Sequence, residues 1–198
     1  MAKVTRQQIK RAIESSGTLN LSRENLQGLN LSGLALREAN LAGTDLARAN
    51  LSRTDLTGAT LWFANLTEAK LFGAILDGTN LKDAKLRGAD LREAKFWFVN
   101  LSGADLREAN LWFVNLSWID MAGAKLCNAI LIGANLQGTY LRGADLRGAD
   151  LREADLSGAD LRQADLDDVR LDETRYDLLT QWPEGFRPSH VNGLIRKD

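Results

Sequence analysis

Apolar and polar positions along this chain repeat with a period of five. Stepping by five from Leu21 to Leu171 gives thirty-one positions, and every one is Leu except Phe96 and Met121; Tyr176 is the next step. Two residues before most of these centres stands a small side chain, such as Ala39, Ala49, Ala59, Ala64, Ala69 and Ala74, or Thr44, Thr54 and Thr79. The other places of each unit are mostly polar or glycine, and the phase holds for some 155 residues without an insertion. Self-similarity this regular specifies a repeat architecture, in which a unit buries its apolar residues by stacking on its neighbours.

Neither regular element accommodates the period alone. An α-helix would smear the leucines around its circumference, and a flat strand would send alternate ones to opposite faces. The backbone that satisfies the pattern turns a corner every five residues, points the centre and the residue two before it inward, and exposes the other three. Glycine supports the corners, since 14 of the 17 fall two places after a centre, among them Gly43, Gly58, Gly88, Gly103, Gly123, Gly143 and Gly158. That is the third position of a type II turn, where φ is positive. Corners without glycine, such as Arg48 and Glu93, are expected to adopt another turn type.

The clearest copies run from Ala144 to Asp168: A-D-L-R-G, A-D-L-R-E, A-D-L-S-G, A-D-L-R-Q and A-D-L-D-D. This pattern resembles the pentapeptide-repeat family, whose motif is A-(D/N)-L-X-X, and the resemblance covers roughly Leu19 to Tyr176. It implies an all-β fold, a right-handed quadrilateral parallel β-helix with four pentapeptides to a coil and about eight coils in this chain. One column supports four per coil. At steps of twenty, the residues preceding one set of leucines read Lys85, Asp105, Lys125, Asp145, an alternation of sign at the inter-strand spacing of about 4.8 Å.

The chain divides into a helical cap over 1–17, the β-helix over 18–177 and a capping tail over 178–198. Thr5 with Gln8 forms a capping box, Val4 and Ile9 can staple the helix start, Ile9, Ala12 and Ile13 share a stripe, and Gly17 is a plausible terminator. A cap is required physically, because an open β-helix end presents unpaired strand edges and bare leucines. Glu24 at an inward place, and Leu29 and Leu34 where Ala is usual, mark the first coil as atypical. In the tail, Trp182, Phe186, Val191, Leu194 and Ile195 are apolar enough to fold over the last coil. Its T-x-W-P-E-G-F stretch, Thr180 to Phe186, looks like those ending several cyanobacterial pentapeptide-repeat proteins, so a bacterial source is expected.

Charge and composition narrow the chemistry. The net charge is −1, with one Cys and one His. A single Cys excludes an internal disulfide framework, and one Cys with one His does not make a transition-metal site. No apolar run suits a signal peptide or a membrane span, so a cytoplasmic location and no membrane partner are expected. His190 lies in the tail, away from any outward Ser such as Ser102 or Ser117, and carboxylates occur mainly beside Arg, so no catalytic residue is assigned. The glycines are corner residues rather than a phosphate cradle, Cys127 is an outward thiol, and no basic face offers direct nucleic-acid binding. No cofactor and no small-molecule substrate are expected.

Function must therefore lie on the outward residues, and there one group departs from the polar norm. Trp62, Phe63, Phe72, Trp97, Phe98, Trp112, Phe113 and Trp118 all occupy outward places. A coil of twenty residues puts Trp97, Phe98, Trp112, Phe113 and Trp118 on two adjacent faces near the middle of the column, Phe98 directly beneath Trp118 and Trp112 beneath Ile132. Contiguous exposed aromatic surface marks an interface, so these five form the candidate contact site for an unidentified protein partner or a lateral self-dimer. The alternative is stiffening of the face by stacked rings. A second function comes from the resemblance: some members imitate double-stranded DNA and modulate type II topoisomerases such as DNA gyrase. Here the Asp run from Asp145 to Asp165 winds around all four faces in company with Arg142, Arg147, Arg152 and Arg162, so a field of one sign is missing.

Overall fold

The computed structural model describes residues 4–15 and 18–197; the predicted helix terminator Gly17 lies outside them. Its main chain pairs in parallel at a constant offset of twenty residues, from Asn20 with Asn40 to Asp155 with Arg175. Four pentapeptides therefore complete one coil. The column of Lys85, Asp105, Lys125 and Asp145 is bridged in that order. Leu86, Leu106 and Leu126 form one interior file, each fully buried, and the alanines two places before the centres are buried with them.

Each place in the unit has a physical cause. The Asn or Asp before a centre turns its side chain onto its own corner, as when Asn20 Oδ1 accepts from the Ser22 N–H at 3.1 Å. The same bond recurs at Asn50, Asp120 and Asp155. It is the short-range bond that favours these residues in turns. Where Thr replaces the inward Ala, its buried hydroxyl donates to a leucine carbonyl one coil earlier, as from Thr44 to Leu21 at 2.8 Å and from Thr139 to Leu116 at 2.8 Å.

The corners correct one expectation. Every corner from Arg23 to Glu173 has positive φ at the second residue after the centre, glycine or not, including Arg48 at 58° and Glu93 at 59°. Only one turn type is used. The reason lies largely between coils: at most corners the N–H of that residue donates to the coil above, as from Arg48 to the Thr67 carbonyl at 2.8 Å, while Glu93 and Phe98 keep the positive φ without that bond. Another turn would break this bond and shift the register of all that follows, a larger penalty than the roughly 1–2 kcal/mol of a left-handed residue.

Helix α1 spans Arg6–Glu14 and carries the reciprocal capping box of Thr5 and Gln8. Ile9 is buried in the core, and the Arg6 guanidinium donates to the main-chain carbonyls of Asn30 and Ser32. The helix thus closes the first coil, where Leu34 is buried, Leu29 is half-buried and Glu24 stays exposed. At the other end the ladder runs on into the tail. Asp160 pairs with Gln181, an offset of one residue more, and β1 (Arg175–Tyr176) pairs in parallel with β2 (Ile195–Arg196) at the original offset. Trp182 stacks on Phe186 at 4.7 Å and meets Tyr176 edge-on at 5.6 Å. Trp182, Phe186, Val191 and Leu194 pack against the core, whereas Ile195 joins by its main chain and is exposed.

Candidate protein-binding site

The aromatic residues stand where the corner geometry puts them. Trp112–Phe113 occupies the corner that leads into the rung 114–116, and Trp97–Phe98 and Trp118 occupy the next corner around, in consecutive coils. The rings therefore flank the face that carries Lys95 and Asn115. All five are between 48% and 89% exposed. Phe98, Phe113 and Trp118 sit at φ of 54°, 54° and 62°, where a bulky side chain is strained.

Stacking along the column is only partly as the register suggests. Phe98 lies one coil below Trp118, but its ring pairs with that of Trp97 at 6.3 Å, and Trp112 pairs edge-on with Phe113 at 5.0 Å. The Phe113 and Trp118 rings instead lie over Gly133 and Gly138 of the coil above, so closely that a Cβ at either glycine would overlap the ring. Trp62 and Phe63 form a separate pair at another corner, and Phe72 lies half-buried under the Arg92 guanidinium, 5.8 Å from its ring centre.

Between the two aromatic corners the ladder is broken, which the sequence reading did not anticipate. Among the described residues from Leu21 to Leu151, the repeating main-chain bonds are interrupted at this place alone. The bonds missing are those from the N–H groups of Glu93, Phe96, Phe98, Val99, Asn115 and Asp120, and Lys95 and Asn115 form no bridge. The Trp97 N–H turns to the Asp77 carboxylate at 3.0 Å, since Lys95 offers no side-chain oxygen for its own corner.

The cause is inside. Phe96 replaces Leu, and Val99, Val114 and Ile119 replace Ala or Thr; by the register Phe96, Val99 and Ile119 flank the corner of Trp97, Phe98 and Trp118, and Val114 stands at the other end of the rung it shares with Leu116, all four being buried. Too much volume in a closed cross-section forces the coils apart, because packed cores do not absorb extra methylenes. Exposed aromatics are not responsible, for the corners of Phe63 and Phe113 keep their bonds to Lys82 and Ile132 at 3.1 and 2.9 Å. Met121, the other departure from Leu, also keeps its bond, to Tyr140 at 2.9 Å. What results is a cleft of about 110 Å³ lined by Ala94, Lys95, Phe96, Trp97, Asn115 and Ser117. The signal for it was present in the sequence as four large residues at inward places that, between Ala39 and Ala164, otherwise hold smaller ones.

Charge on the rod is neutralised locally. The Asp before a centre and the Arg after it close a two-pronged pair within one repeat, at Asp90–Arg92, Asp105–Arg107, Asp145–Arg147, Asp150–Arg152 and Asp160–Arg162. Bonding to the guanidinium holds each of these carboxyls below its ordinary range. The alternating column predicted between coils is in register, yet its ion pairs close sideways rather than along the column. Cys127 is half-buried, and its thiol is pushed up by burial and by Asp145. His190 sits in a short 3-10 turn, Pro188–His190, at the far end of the rod. No helix among the described residues is long and apolar enough to cross a membrane.

Comparison with solved structures gives likenesses in the same architecture. A trypsin-treated form of QnrB1, a plasmid-mediated fluoroquinolone resistance protein, matches with a TM-score of 0.66 at 20% identity, over 90% of this chain and 87% of that chain. A second trypsin-treated form matches with a TM-score of 0.55 at 22% identity, over 78% and 90%. HetL, a pentapeptide repeat protein involved in heterocyst differentiation regulation from the cyanobacterium Nostoc sp. strain PCC 7120, is 29% identical over 88% of this chain and 97% of that chain, with a TM-score of 0.37. The QnrB1 likeness is one of fold. Among curated protein sequences nothing matches. The profile described as pentapeptide repeats matches eight copies in segments lying between residues 25 and 168. Proteins with these repeats fold as right-handed quadrilateral β-helices, in agreement with the pairing described above. The chain is a member of the pentapeptide-repeat family.

Proposed function

We propose that this protein is a non-enzymatic rod that presents a rigid surface to a protein partner, and that Trp97, Phe98, Trp112, Phe113 and Trp118 make the contact. The observation that carries this reading is the size of the aromatic surface. Taking about 200 Å² for a large ring, the exposures sum to on the order of 650 Å² of aromatic surface, divided between the two corners that flank one face. The largest apolar patch on an ordinary monomer is about 300–600 Å², and a standard interface takes about 800 Å² from each partner. The Phe113 and Trp118 rings, on corners that keep their ladder bonds and seated over Gly133 and Gly138, are ordered before binding, which lowers the entropy lost on association. Family members are generally structural or interaction scaffolds, which accords with this reading.

Mimicry of DNA toward gyrase is less well supported by the charges. Each Asp of the acidic run is matched by an Arg in its own repeat or by a neighbour such as Lys197 at Asp155, so no continuous acidic face builds up. The deciding experiment compares the wild type with the Trp112→Ser/Trp118→Ser double variant by sedimentation and by affinity capture from lysate. The expected result is a stoichiometric protein partner, or a second copy, held by the wild type and lost by a variant that remains folded. Identical association by both proteins overturns the reading, and inhibition of gyrase supercoiling by both would favour DNA mimicry instead.

A further inference from the structure

The breach between coils has three properties that together describe a receptor. Its floor is apolar, made by Ala94 and Phe96, which are 7% and 4% exposed where core residues elsewhere are almost all at 0–1%. Its lips carry main-chain groups freed from the ladder, the N–H groups of Phe96, Phe98 and Asn115 and the carbonyls of Asn115 and Ser117 that would have accepted from the first two. Its rim holds Lys95, Trp97, Asn115 and Ser117. The coils stay bonded on both sides, at Leu91 to Asn110 and Leu101 to Asp120, so the freed donors and acceptors form a short gap whose groups can bond a peptide laid across it.

Size decides the class of ligand. Pockets for cofactors and drug-sized molecules run to about 300–1,000 Å³, well above the 110 Å³ found here. An apolar cavity of about 150 Å³ holds one benzene ring, so this cleft suits a single aliphatic or aromatic side chain. Main-chain donors and acceptors side by side match the peptide groups that flank such a side chain.

We infer that the breach is a slot for an extended segment of a partner protein, which seats one Leu- or Phe-like side chain on Ala94 and Phe96. The flanking peptide groups hydrogen-bond the freed N–H of Phe98 and carbonyl of Ser117, while the aromatic corners at either end clamp the segment. Phe96, Val99, Val114 and Ile119 act as a wedge that holds the slot open. They are positioning residues and, being buried, leave most of the contact to others. This inference rests on the reading of the aromatic corners as a contact surface.

The test uses heteronuclear NMR and amide exchange on the full chain. The probes are synthetic peptides with one central Leu or Phe in a Ser/Thr/Gly host, and the same host with a central Ser. In the free wild type, the amides of Phe96, Phe98 and Asn115 are expected to exchange roughly tenfold or more faster than those of Leu86 and Leu126. The Leu and Phe peptides should shift the Phe98 and Ser117 signals saturably and slow that exchange, and the Ser peptide should not. A variant combining Phe96→Leu, Val99→Ala, Val114→Ala and Ile119→Ala keeps every exposed ring; it should regain protection and lose the peptide response. The single Phe96→Leu variant serves if the combination fails to fold. Protected amides in the wild type, equal response to all peptides, or peptide binding unchanged in the closed variant each overturn the slot. Retained protein capture by that closed variant, with capture lost in Trp112→Ser/Trp118→Ser, would leave the surface reading standing and remove the slot.

Discussion

At the residue scale, every place in the unit is decided by one contact. The centre Leu fills the interior, the small residue before it leaves room for the neighbouring file, and Asn or Asp closes its own corner by accepting from the N–H two residues on. Glycine at the corner relieves positive φ, but half of the corners do without it, so a corner glycine has a particular use only where something lies on top. Gly138 is such a place, since the Trp118 ring occupies the position of its missing Cβ, whereas nothing lies within 4 Å at Gly123. Gly123→Ala is expected to lower stability by about 1 kcal/mol through backbone strain alone. Gly138→Ala should lose roughly 1 kcal/mol more, because the ring must leave its seat. Thermal unfolding of the two variants side by side makes the comparison, and equal losses would mean that the Trp118 contact stabilises nothing.

At the scale of elements, a coil is stable only between neighbours, so the ends need a different solution. The first coil is closed by α1, whose Ile9 enters the core and whose Arg6 ties down carbonyls that no earlier coil could bond. Ile9→Asp should release the helix and bare the leucine files and strand edge beneath it. Light scattering is then expected to show association that grows with concentration, together with a lower melting temperature; a variant that stays monomeric at all concentrations would show that α1 is not the closure. In the middle of the rod the opposite irregularity occurs, an excess of interior volume instead of a lack of neighbours. The same closed geometry that makes eight coils regular makes four oversized side chains visible at the surface.

At the scale of the whole molecule, the charges make a statement about acid. Burial pushes the Asp155 carboxyl up, but bonds from Lys197, Ser157 and Gln137 outweigh it and bring it down to about 2. Arg pairing lowers Asp90, Asp105, Asp150 and Asp160. A carboxyl depressed in the fold stabilises it above the unfolded value, near 4, and the contribution is lost as pH falls through the folded value. The melting temperature should therefore be level from neutral pH down to about 5 and fall steadily from about 4 to about 2. A flat profile across that range would show that the Asp–Arg and Asp–Lys pairs add nothing to stability, as many exposed pairs do not.

Much of this protein could be read from one chain of letters, because in a solenoid the same local geometry recurs and each residue's surroundings are set by its place in the period. Inward and outward places, the corners, the capping box at Thr5 and Gln8 and the outward position of Trp97, Phe98, Trp112, Phe113 and Trp118 all followed from spacing. The uniform left-handed corner at Arg48 and Glu93 did not, since it is set by main-chain bonds rather than by the residue: Arg48 bonds the next coil, and Glu93, which lacks that bond, keeps the one that closes its own turn, from the Ala94 N–H to the Leu91 carbonyl. Nor did the sideways closure of the Asp–Arg pairs, which depends on side-chain reach. The breach lay furthest from view: Phe96, Val99, Val114 and Ile119 are up to twenty-three residues apart, and each alone is an ordinary core residue. Only the winding of the backbone brings them onto two adjacent faces of neighbouring coils, where their volumes add and the ladder has to open.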